Sequence, residues 1–140
     1  MLLIRTKALI PALGMIALCT TARAQCPVHT VILKGRVENA NADDRVRVQL
    51  VYPKHKPGES GEVTVLDGTF QIPIEFVTMQ SSIFANLPKR CGRKPQVVVI
   101  TLLENDQDSD QVSLDFAKNF MLADPSAYTL RSELVLKGSR

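Results

Sequence analysis

Residues 65–76, Val-Leu-Asp-Gly-Thr-Phe-Gln-Ile-Pro-Ile-Glu-Phe, carry the pattern that decides the fold class. Asp67-Gly68 readily adopts the positive φ angles of a type I′ turn, which joins two antiparallel strands. After this turn every second residue is apolar, and the residues that share one side are Phe70, Ile72, Ile74 and Phe76. An alternation with period two is typical of a strand with one buried face. The stretch therefore predicts a β-hairpin whose second strand lies against a hydrophobic core.

The same alternation continues on both sides of the hairpin. It occurs at 31–38, 46–50 and 130–136, and shorter candidate strands lie at 62–65 and 111–114. Residues 96–103 (QVVVITLL) are apolar on both faces, which is typical of a central strand. Polar, turn-forming residues occupy 39–44, 53–61 and 104–110, which we expect to be loops. The one helical spacing is short, at 114–121.

Short strands without long helices between them predict an all-β fold, built as an antiparallel β-sandwich of about seven strands. We expect one such domain at residues 25–140, because a chain of this length can bury a single core.

The first 24 residues have the three parts of a secretory signal peptide. Arg5 and Lys7 precede an uncharged, mostly apolar run at 8–19, and Ala22-Arg23-Ala24 places small residues before a cleavage point. A membrane-spanning helix needs about 20 apolar residues, and this run is shorter. We therefore expect residues 1–24 to be removed, and the mature protein at 25–140 to be secreted or periplasmic.

Removing this leader changes the charge balance. The whole chain has 17 Lys and Arg against 14 Asp and Glu. Three of those bases, and none of the acids, lie in the leader, so the mature part has a formal net charge of zero. The basic character of the whole chain is therefore no indication of nucleic-acid binding.

The cysteine count changes in the same way. Cys19 lies in the leader, which leaves Cys26 and Cys91. An even pair in an oxidising compartment predicts one disulfide. The alternative is a pair of free or redox-active thiols, but the chain has no C-x-x-C spacing.

Four segments resemble the carboxypeptidase regulatory-like domain family. They are Gly35-Arg36-Val37, the alternating strand at 46–50, Gly61-Glu62-Val63 and the D-G-x-F turn at 67–72. The resemblance implies a transthyretin-like β-sandwich, where the pattern alone allows an immunoglobulin-like one as well. It also implies a non-catalytic accessory or interaction module. The chain departs from the family at 78–95 and in its cysteine pair.

The transthyretin-like fold also includes hydroxyisourate hydrolases, which provide an enzymatic alternative. That family uses two histidines with an arginine and ends in Y-R-G-S, whereas this chain ends in Lys137-Gly138-Ser139-Arg140, without the tyrosine. Only His29 and His55 are available, and we expect both to be surface residues. The sequence thus favours a binding module without a cofactor over an enzyme.

Two charged segments are candidate sites. Glu104, Asp106, Asp108 and Asp110 resemble the start of a calcium loop, although an EF-hand needs glycine and glutamate where Gln111 and Ala117 stand. A small-ligand or calcium-binding carrier is therefore an alternative function.

The second charged segment is basic. Lys89, Arg90, Arg93 and Lys94 flank Cys91 between two prolines, and they are the candidate contact surface. The partner would be another exported protein or an anionic glycan. The alternative is a solubilising loop whose charges are balanced by the acidic residues at 104–110.

Overall fold

The computed structural model describes residues 27–77 and 93–139. The predicted leader at 1–24 lies outside these residues, as do Cys26, Lys89, Arg90 and Cys91. The described part contains no helix that is long and apolar enough to cross a membrane.

Strands dominate the described residues, as predicted. The elements in chain order are β1 (Val28–Glu38), β2 (Arg45–Tyr52), β3 (Lys56–Thr64), β4 (Thr69–Val77), β5 (Val97–Glu104), β6 (Gln107–Asp115), α1 (Phe116–Asn119), β7 (Phe120–Asp124), β8 (Ala127–Leu130) and β9 (Leu134–Lys137). The all-β fold class is confirmed. The helical spacing predicted at 114–121 corresponds to α1, a single turn that Asp115 caps by accepting the Lys118 N–H at 3.0 Å.

These strands form two sheets. The first has the order β4-β1-β8-β7, with β9 also paired to β1, and the second has the order β3-β2-β5-β6. All pairs of the second sheet are antiparallel. In the first sheet β1 runs parallel to both β8 and β9, so the purely antiparallel prediction is wrong there. A parallel pair needs a long connection, and the six intervening strands provide it.

The inward faces of both sheets contribute to one hydrophobic core. Alternate residues of β1, β2 and β4 point into it, which explains their period-two pattern, and β5 contributes Val98, Ile100 and Leu102. The largest of its side chains that lie below 2 % exposure are Phe76, Leu33, Leu50, Ile100, Leu102 and Leu136.

The tight turn predicted before β4 is confirmed, but the predicted β-hairpin is wrong, because β3 and β4 lie in different sheets and only Leu66 and Thr69 pair across the turn. Asp67 and Gly68 have φ angles of 52° and 72°, and Leu66 and Thr69 exchange two backbone hydrogen bonds of 2.9 Å. Asn105 and Asp106, with φ angles of 52° and 62°, join β5 to β6 in the same manner. The prediction of a loop at 104–110 is therefore wrong, because β6 begins at Gln107, directly after this turn.

The loop predicted at 53–61 is also mostly strand. β3 begins at Lys56 and lies at the edge of its sheet, where it needs no apolar face. Cross-strand contacts hold it instead. The Tyr52 ring covers Gly58, and its hydroxyl donates a hydrogen bond of 2.6 Å to Glu59. Burial and this carboxylate neighbour raise the pKa of Tyr52.

The alternating run at 130–136 forms two strands where we expected one. β8 ends at Leu130 and β9 begins at Leu134, and both pair with β1. Gly35 of β1 lies where Phe70 of β4 and Leu134 of β9 approach from either side. A Cβ atom at this position would be 2.7 Å from Phe70 Cζ and 2.8 Å from the Leu134 carbonyl oxygen.

We predict that Gly35→Ala lowers the free energy of unfolding by about 2 kcal/mol, because the new methyl group meets a backbone atom that cannot move alone. Gly61→Ala is the matched control. Its Cβ would meet only the flexible end of Ile72, at 3.0 Å, so we expect a change below about 1 kcal/mol. Urea unfolding of residues 25–140 measures both variants, and equal losses would contradict the close approach at Gly35.

Candidate functional site

Four basic residues lie at one end of the two sheets: two from the predicted contact surface and two that come from another part of the chain. Arg93 and Lys94 are exposed there, and Lys94 Nζ lies 5.9 Å from the Tyr128 ring centroid. The turn between β2 and β3 places Lys54 and Lys56 at the same end, because the Gln96 N–H donates a 2.8 Å hydrogen bond to the Val51 carbonyl. We call Lys54, Lys56, Arg93 and Lys94 the basic end.

None of these four cations forms an ion pair with another described residue. The sequence analysis missed Lys54 and Lys56, because it treated 53–61 as a loop without a position in the fold. The short run Lys54-His55-Lys56 was the signal that could have indicated them.

The acidic residues at 104–110 are engaged in contacts within the fold. Glu104 accepts the Ser139 N–H at 2.9 Å, Asp110 accepts the Lys137 N–H at 2.9 Å, and Asp106 forms an ion pair with Arg45. Asp108 is exposed. Within 27–77 and 93–139, no three Asp, Glu, His or Cys side chains lie close enough together to hold a metal ion. The carboxylates thus connect the end of the chain to the β5–β6 hairpin.

The two histidines occupy different environments. His55 is exposed in the β2–β3 turn, as expected. His29 is buried, so the prediction of a surface residue is wrong for it. The alternation of β1 places His29 on the same inward side as Val31 and Leu33.

His29 belongs to a group of packed aromatic rings. Its centroid lies 5.8 Å from that of Phe76 and 5.6 Å from that of Tyr128, and Phe116 and Phe120 extend the cluster. Its Nδ1 atom has no hydrogen-bond partner among the described residues. A buried nitrogen atom that makes no hydrogen bond destabilises the fold.

The edges of the two sheets differ in how they resist pairing with other chains. β3 and β4 contain Pro57 and Pro73, and β6 carries acidic side chains at 108, 110 and 115. β9 is short, and its Lys137 N–H is already bonded to Asp110. Proline, charge and shortness are the usual protections of an edge strand.

β7 has less of this protection. It is short, with five residues (FMLAD), and its register with β8 shifts between Leu122 and Asp124, but it lacks Pro, Lys and Arg, and its one charged residue is the terminal Asp124. Met121 is 44 % exposed and Leu122 is 53 % exposed. Met121 pairs with Thr129 and Leu122 pairs with Tyr128. Because consecutive residues of a strand alternate, the two side chains point to opposite faces of the sheet. The sequence analysis missed this strand, because residues 120–124 show no alternation.

β7 ends in a tight turn at Asp124. The Asp124 carboxylate accepts the Ser126 N–H at 2.8 Å and the Ser126 hydroxyl at 3.1 Å. These hydrogen bonds to the charged form lower the pKa of Asp124. After this turn β8 lies between β7 and β1, so the free edge of β7 is on the side away from β1.

A cleft of about 810 Å³ lies beside β1. Its walls come from β1, from the ends of β3 and β4, and from the connection between β8 and β9. The lining combines apolar and polar side chains: Ile32, Val63, Leu66, Phe70 and Leu130 with Lys34, Arg36, Thr64, Thr69, Gln71, Thr129, Ser132 and Glu133.

Comparison of the chain with known protein families, with curated proteins and with solved structures finds no match.

We predict that His29→Phe leaves the free energy of unfolding unchanged or raises it, because the variant removes an unpaired buried nitrogen and keeps an aromatic ring. His29→Asn is the matched polar variant, and we expect it to lose about 2 kcal/mol or more, through lost packing and a buried amide. Chemical denaturation at pH 7 measures both. A loss above about 2 kcal/mol for His29→Phe would show that Nδ1 has a stabilising partner.

Proposed function

We propose that this chain is an exported, non-catalytic module that binds another exported protein. The observation that carries the proposal is the edge of β7, which exposes Met121 and Leu122 without the proline or cationic side chains that protect such edges. The leader-like pattern at 1–24 supports export, and the resemblance to carboxypeptidase regulatory-like domains supports an accessory role.

The binding mode is the addition of a strand. An extended segment of the partner pairs its backbone with the free edge of β7, and these hydrogen bonds provide affinity for any sequence. Met121 and Leu122 lie on opposite faces, so each contacts a side chain of the incoming strand on its own face. The partner segment is therefore extended, free of proline, and apolar on both faces next to these residues.

The fold that we propose is a transthyretin-like β-sandwich. The two sheets share one core, as the layers of a sandwich do. In an immunoglobulin-like sandwich the first strand pairs with the second. Here β1 pairs with β4, β8 and β9, whereas β2 pairs with β3 and β5, which favours the transthyretin-like alternative.

We predict that a photoreactive residue at position 121 captures one partner in cells, and that the same residue at Ser113 on the protected edge β6 does not. With the captured protein purified, Leu122→Lys weakens binding by at least about tenfold, because a lysine on the edge opposes strand pairing. Ser113→Lys is the matched control and leaves the affinity unchanged. Titration calorimetry measures both variants.

Hydrogen exchange provides the second measurement for this complex. We expect the amides of 120–124 to become protected when the partner binds, because a new strand would cover them. Equal affinities of the two lysine variants, or protection elsewhere with none at β7, would refute binding at this edge.

We also propose that Cys26 and Cys91 form a disulfide, although both lie outside the described residues. Their described neighbours support it. Cys26 directly precedes Pro27, at the start of β1, and Cys91 lies three residues before Lys94. Lys94 lies over the Tyr128 ring, which contacts His29 of β1. Both cysteines are thus attached to segments that meet at the same end of the sheets.

We predict that the mature protein, denatured without a reductant, takes up no thiol-alkylating label, and that it takes up two labels after reduction. Reduction would lower the free energy of unfolding by up to about 4 kcal/mol, because the bond closes a long loop. The double variant Cys26→Ser, Cys91→Ser controls for the reductant and should not respond to it. Two labels without reduction would show that the thiols are free.

A further inference from the structure

The cleft beside β1 exists because a neighbouring strand is interrupted. β8 pairs with β1 up to Thr129 opposite Ile32, and β9 pairs from Leu134 opposite Gly35. Residues 131–133 connect the two strands without pairing, so β1 has no strand partner on this side at Leu33 and Lys34. The resulting volume of about 810 Å³ falls within the range of small-molecule sites.

Part of the cleft is strongly apolar. Phe70 and Ile32 line it, and Leu66 does so from the turn before β4. Leu66 is 70 % exposed, above the other exposed large apolar side chains of the described residues. A leucine held this far into solvent beside a cavity is available to cover an apolar ligand.

One cation of the cleft has no ion-pair partner among the described residues. Arg36 is paired with Glu133, which is the one acidic residue in the lining. Lys34 lies opposite Gln71 on β4, and it forms no ion pair with a described residue. The Arg36–Glu133 pair is more than half exposed on both sides, so it contributes little to stability and a ligand can compete with it.

We propose that this cleft binds a small anionic amphiphile, a molecule with an apolar body and one carboxylate or similar anionic group. The apolar body contacts Ile32 and Leu66, and the anion pairs with Lys34. An uncharged analogue would lose the ion pair, and a cationic analogue would be repelled by Lys34. The site uses none of the β7 edge, so this inference is independent of the proposed protein interaction.

The test uses three ligands with the same alkyl chain: decanoate, decanol and decyltrimethylammonium, each below its micelle concentration. Titration calorimetry of the mature chain should show binding in the order decanoate, then decanol, then the cation. We expect Lys34→Gln to weaken decanoate at least about tenfold while leaving decanol unchanged, since only decanoate uses the charge. Leu66→Ser should weaken both ligands.

Two control variants separate this site from the rest of the surface. Lys137→Gln removes an exposed lysine outside the cleft, and Leu122→Lys alters the β7 edge; both should bind decanoate like the unmodified chain. The inference is overturned if decanoate does not bind, if the cation binds as tightly, or if Lys34→Gln and Lys137→Gln behave alike.

Discussion

The arrangement of the first sheet depends on how closely its strands approach β1. This strand pairs with β4 on one side and with both β8 and β9 on the other, and Gly35 is paired with Phe70 of β4 and with Leu134 of β9. A side chain there would collide with the Phe70 ring and with the Leu134 backbone. The lack of a Cβ atom allows β9 to pair with the second half of β1, which leaves the gap between β8 and β9. The residues beside this gap form one wall of the cleft that we propose as a ligand site.

Charge is distributed unevenly along the strands of a domain that is neutral overall. Asp43, Asp67 and Asp106 lie in turns at one end of the sheets. The basic end lies opposite, with Lys54, Lys56, Arg93 and Lys94. A charge distribution of this kind orients an approaching partner, even where it contributes little to the final affinity. An anionic partner would therefore meet the basic end first.

The alternation of apolar residues in the sequence was sufficient to predict much of the secondary structure of this protein. It was sufficient for the all-β class and for the buried faces of β1, β2 and β4, because a strand with one buried face must alternate. The same reasoning failed at β3, β7 and the start of β6. These lie at or near sheet edges, where backbone pairing and local contacts such as Tyr52 over Gly58 hold a strand that has no apolar pattern.

The candidate sites could be predicted from the sequence to a lesser degree than the strands, because their residues come together only in the tertiary structure. The sequence could identify Arg93 and Lys94 as basic, but only the pairing of β2 with β5 placed Lys54 and Lys56 beside them. The carboxylates at 104–110 were visible as a cluster, yet their partners Arg45, Lys137 and Ser139 are distant in the chain. The aromatic neighbours of His29 come from β4 and β8, and the cleft at Lys34 lies beside the same strands, which pair with β1 although they are distant in the chain. Local pattern cannot specify such pairing, because it records which face of a strand is buried and not which strand lies beside it.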